Sequence, residues 1–133
     1  MAQTQSSTTE GYTEIGKIMA GEGSSVPTKI VLIKTSCTAD ATQTYSGITK
    51  CTEDGLAMAA STCTSETTTV TDDTLQVTHE FTAGVGVSVT VLGAGLVNTD
   101  EDVLFMLTCF NAGIAMEAGD TLTPTLQMQF KAD

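Results

Sequence analysis

Four cysteines, a single histidine, two acidic clusters and two glycine clusters are the residues of this chain whose types could do chemistry beyond packing. The cysteines stand at Cys37, Cys51, Cys63 and Cys109, with no CxxC spacing among them. With His79 as the only histidine, that spacing argues against a zinc ribbon or finger, which needs paired ligands held close along the chain. Four cysteines permit three disulfide pairings, and the sequence does not choose among them. Free buried thiols, disulfides within or between subunits, and a metal site all remain open.

His79 lies between Val77 and Phe81 on the apolar side of an alternating segment. A catalytic base needs a nucleophile or an orienting partner, and no serine or cysteine offers a recognisable second member. Its expected role is a packed, hydrogen-bonded core or interface histidine. Asp72-Asp73 and Asp100-Glu101-Asp102 carry oxygens of the kind that bind calcium, but neither fits the EF-hand loop or the nonapeptide calcium repeat. They read as turns in which carboxylates accept nearby backbone N–H groups. The glycine pairs Gly21/Gly23 and Gly93/Gly95 lack the lysine of a P-loop and the third glycine of a dinucleotide fingerprint. Glycines inside a strand mark a bulge or a close backbone approach. No catalytic, cofactor-binding or metal-ligating residue is assigned on these grounds, and the chain is read as not an enzyme. A small hydrolase with dispersed carboxylates is the enzymatic rival, and it would need two close acids in a deep pocket.

The elements that would position these residues are mostly strands. Leu75, Val77, His79 and Phe81 alternate with Thr74, Gln76, Thr78 and Glu80. Leu122, Pro124, Leu126, Met128 and Phe130 alternate with Thr121, Thr123, Thr125, Gln127 and Gln129. Period two describes strands with one buried and one wet face. Lys29 to Thr35 (KIVLIKT) is a β-branched run that predicts a strand buried on both faces. Further strands are expected near 45–49, over 55–71 with a bend, over 86–98 and over 101–110. Threonine makes up about a fifth of the residues, far above ordinary usage, and suits the wet face of a sheet. Tyr12, Ile15, Ile18 and Met19 fall on one stripe of a short amphipathic helix, with Thr9 as its cap and Gly21 at its end. Residues 1–9 are almost devoid of apolar side chains and predict a flexible arm.

The expected fold is all-β: one antiparallel β-sandwich, jelly-roll or immunoglobulin-like, with a short N-terminal helix and a flexible arm. The division is 1–27 for arm and helix and 28–133 for the sandwich. The chain of 133 residues is one domain's worth. Its formal charge is −11, from 16 acids against 5 lysines and no arginine. That balance disfavours nucleic acid and anionic membranes, both of which are bound through clustered cations. MAQTQSSTTEGYTE has neither the basic start nor the apolar core of an export leader, which predicts synthesis in a cytoplasm.

The order of landmarks adds a family. KIVLIKT, a Thr/Ala-rich loop, DGLAMAAST, DDTLQVTHEFTA, VTVLGAGLVN and the closing GDTLTPTLQMQFK follow one another from about Lys29 to Lys131. This order resembles a family of small tailed-bacteriophage virion proteins, tail-fibre-like or head-decoration-like. Met58 stands where an arginine is common in such chains, LGAGLVN replaces an acidic-Gly-aromatic pattern, and four cysteines are unusual there. The resemblance implies no active site and no cofactor. It implies a virion location after assembly in a host cytoplasm. The implied partners are major capsid, neck or tail proteins and copies of the chain itself, with no nucleic acid and no membrane. Tyr12, Ile15, Ile18 and Met19 are then candidate subunit contacts, with cover of the sandwich's own open end as the other reading. Deletion of residues 1–21 is expected to leave the domain folded. The rival outside this class is a host- or carbohydrate-binding module, which would show an exposed aromatic or a calcium-bound loop, and only Tyr45 and the acidic turns could serve it.

Overall fold

A computed structural model describes residues 3–22 and 25–130. The chain runs β1 (Gln3–Ser7), α1 (Thr9–Met19), β2 (Pro27–Lys34), β3 (Ala59–Ala60), β4 (Thr62–Glu66), β5 (Thr74–Thr78), β6 (Phe81–Thr82), β7 (Ser88–Asn98), β8 (Leu104–Glu117), β9 (Thr121–Leu122) and β10 (Thr125–Gln129). All strand pairs are antiparallel. A five-stranded sheet has the order β1-β8-β7-β2-β3, a three-stranded sheet the order β10-β5-β4, and β6 pairs with β9. The all-β, sandwich-like fold with one short helix is as the alternation predicts.

β2 shows why its run is apolar on both sides. Ile30 and Leu32 face the core between the sheets, with Val77, Phe81, Phe105 and Leu126. Val31 and Ile33 face a second cluster with Ile48, Val97, Leu104 and Leu107. All four β2 residues are fully buried, because the excursion between β2 and β3 folds back over the outer face of the large sheet. That excursion holds a turn over 45–47 and a bend at Ile48, not the expected strand. The alternation in β10 is also as read: Pro124, Leu126 and Met128 are buried while Thr123, Thr125 and Gln127 are exposed. Phe130 departs from it and is 54% exposed. Lys131, the expected end of that strand, lies outside the described residues.

The expected flexible arm is instead β1, paired along β8 from Gln3 opposite Phe110 to Ser7 opposite Met106. The backbone groups on its β8 side are satisfied by the ladder, which holds it without apolar side chains. Residues 3–7 therefore add an edge strand to the large sheet.

The cap of helix α1 is Thr8, one residue earlier than expected. Thr8 Oγ1 accepts the Gly11 N–H at 2.9 Å and donates to the Leu104 carbonyl, tying the cap to β8. Glu10 Oε2 accepts N–H groups from Tyr45 and Leu104, each at 2.9 Å. A Cβ on Gly11 would lie 2.6 Å from Phe105 Cα, so only glycine lets the helix sit this close. The helix ends at Ala20, followed by Gly21 with φ 78°. No helix among the described residues is long and apolar enough to cross a membrane.

Candidate functional site

The two long sides of the sandwich end differently. On one side β3 lies at the edge of the large sheet, and after Ser61 alone the chain continues as β4 at the edge of the small sheet. One segment thereby spans both layers. On the other side β1 ends the large sheet and β10 ends the small one, with no strand joined to either outer edge among the described residues. Between them runs a cleft of about 520 Å³. Met106, Leu126 and Met128 form its apolar floor, and Gln3, Gln5, Thr125 and Gln127 its walls. Among the described residues no Asp, Glu, Lys, His or Cys lines it, in a chain of net charge −11.

Tyr12 from α1 and Phe130 from the end of β10 both line this cleft, although 118 residues separate them in sequence (130 − 12). They are the exposed aromatic residues of the described chain. The expected contact stripe on α1 therefore divides. Ile15 and Ile18 pack against the chain's own core, while Tyr12 is 63% exposed and Met19 84% exposed. A loop holds the β10 end of the cleft in place. The Asp73 carboxylate accepts the N–H groups of Thr68, Thr69 and Val70, the Thr74 hydroxyl and the Gln129 amide. Those bonds, the Thr68 N–H foremost, hold its carboxyl well below the usual carboxylate range.

The other residues singled out by sequence do not converge. Cys37 and Cys109 form a disulfide, with Cα atoms 5.7 Å apart, that ties the excursion after β2 to β8. A pairing of Cys37 with Cys51 is thereby excluded. Cys51 is a buried free thiol, pushed up to about 11 by burial, and Cys63 is free and exposed. A thiol held above neutral pH is a poor nucleophile. Gly93 sits under the disulfide: a Cβ there would lie 2.7 Å from Cys37 Sγ and 2.3 Å from the Thr108 carbonyl oxygen. The GAG glycines are thus a close approach, as a strand glycine suggests. Gly23 lies outside the described residues.

His79 is half-buried at the end of β5 and meets Phe81 edge-on, ring centroids 4.7 Å apart. The acidic clusters act as turns. Asp102 accepts from the Asn98 amide at 2.6 Å, and Glu101 lies 3.6 Å from Lys29 Nζ. Among the described residues no three His, Cys, Asp or Glu side chains are grouped to hold a metal ion. No family model, curated protein or solved structure matches the chain.

Proposed function

We propose that the chain is a structural subunit of a tailed-bacteriophage virion, acting by protein–protein assembly as a capsid decoration or cement protein or as a subunit of the neck, tail or fibre. Its partners are other virion proteins and copies of itself. The ordered landmarks from Lys29 to Lys131 support this reading, and one structural observation carries it: the sandwich presents two uncharged strand edges and a neutral cleft on one side. Edges of this kind are templates for neighbouring chains. Repetition on a symmetric particle multiplies a modest contact into firm attachment. The acidic remainder of the surface keeps unassembled copies soluble.

The test is immunolabelling of gradient-purified particles with an antibody raised against the folded chain, read by electron microscopy. Label at repeated positions is expected. A chain found only in the soluble fraction of the lysate overturns the reading.

One observation favours a second reading, a host- or carbohydrate-binding module. Tyr12 and Phe130 on an amide- and hydroxyl-lined cleft supply the stacking surfaces that the composition alone lacks. Binding of neutral oligosaccharides that is lost in Tyr12→Ala would establish it.

A further inference from the structure

The directions of the strands decide what the open side can accept. β1 is antiparallel to β8, β8 to β7, β7 to β2 and β2 to β3, so β1, β7 and β3 run the same way. β3 runs on into β4 through Ser61. β4 and β10 are both antiparallel to β5, so they too share a direction. The two free edges that border the cleft, β1 on one sheet and β10 on the other, therefore run parallel to each other.

A two-fold axis passing through the cleft, perpendicular to the strands and normal to the sheets, reverses strand direction and keeps the layers. It sets β1 of one copy beside β1 of the other, and that pair is antiparallel. The same operation pairs β10 with the other copy's β10. Both edges of both copies are satisfied together, and each sheet continues into the partner's equivalent sheet. Such a contact is isologous and closed.

Charge selects a second copy as the occupant. Natural sheet edges are blunted by lysine, proline, bulges or inward charges. β1 (QTQSS) and β10 (TLQMQ) carry no charge and no proline, and neither has a register shift. Two copies of a chain of net charge −11 repel wherever their acids face each other, and this side is where they do not. Tyr12 and Phe130, half or more exposed in one copy, become covered.

We infer that the chain forms a two-fold dimer across the open cleft by antiparallel pairing of β1 with β1, and of β10 with β10, of a second copy. The inference deepens the structural-subunit reading and rests on its premise that the chain works in repeated copies. It is tested by sedimentation of the intact protein, beside a Gln5→Glu/Gln127→Glu double variant that places carboxylates on both edges. The wild type is expected to sediment as a dimer. The variant is expected to sediment as a monomer with an unchanged far-ultraviolet spectrum at low salt. It should return toward the dimer at about 1 M salt, where charges are screened within about 3 Å. Salt rescue separates repulsion from misfolding. A wild type that stays monomeric at every concentration overturns the dimer and leaves the virion reading to the particle label. A variant that dimerises like the wild type at low salt overturns the proposed edges. A dimer never found on particles overturns the virion reading alone.

Discussion

The two sides of the sandwich solve the same problem in different ways. Where β3 passes into β4, a single segment lies on both sheets and closes the gap between them by covalent continuity. Where β1 and β10 end their sheets, two strands come to the same opening and leave a cleft floored by Met106, Leu126 and Met128. The closed side needs nothing more. The open side holds unpaired backbone groups and apolar surface that a partner would cover, and among the described residues no charged side chain lines its cleft to repel one. What an edge lacks tells what it is made to meet.

The largest effect should come from removing the open side's own parts. Deleting residues 1–21 strips β1 from β8 and takes away the α1 residues Ile15 and Ile18 that pack on the core. The sequence alone suggests that this truncation folds. The structure predicts instead a marked loss of stability, measured as a lower urea midpoint, because Phe105 and Met106 lose their cover. A truncated chain that melts like the whole one would mean that the large sheet ends at β8.

Next is the tether on the far face. A Cys37→Ser/Cys109→Ser variant opens a loop with a sequence separation of 72 and should cost about 4 kcal/mol in a denaturant titration. Cys63→Ser should change little, its thiol being free and exposed. Dimer formation should survive in both, since neither change touches the cleft. Loss of the dimer in the first would show that the tether shapes the open side as well.

How much of this was legible beforehand depends on what kind of force holds each element. β2, β5 and β10 are held by alternating or continuous apolar burial, and their sequences announce it. β1 is held by backbone pairing and by the Thr108 hydroxyl, which donates to the Thr4 carbonyl, and QTQSS gives no period to read. The excursion over 35–58 has few apolar residues, and its position follows from the disulfide and from Ile48 and Tyr45 docking on the large sheet. The cleft was illegible for a related reason. It depends on which strands become edges, which is a property of topology, and it joins Tyr12 to Phe130 from opposite ends of the chain. Asp73 was recognisable as a turn residue, but not as the anchor of the loop beside β10.

The smallest predicted effect concerns that anchor. Asp73 holds its proton less readily in the folded chain than in the unfolded one, where an aspartate titrates near 3.9. Its contribution to stability is therefore present above about pH 3.9 and is lost as the pH falls through its lower folded value. Asp73→Asn should lower the melting temperature modestly at pH 7 and flatten its fall between about pH 4 and pH 2. An unchanged acid profile would remove Asp73 as the residue that fixes the β10 end of the cleft.

Amide hydrogen exchange as a function of protein concentration tests the difference between the two sides most directly. Raising the concentration should slow exchange in β1 and β10 together, by the same factor as dimer formation, while β3 and β4 exchange at unchanged rates. Equal behaviour of both sides at all concentrations would contradict the account, as would protection that appears along β4 and spares the cleft.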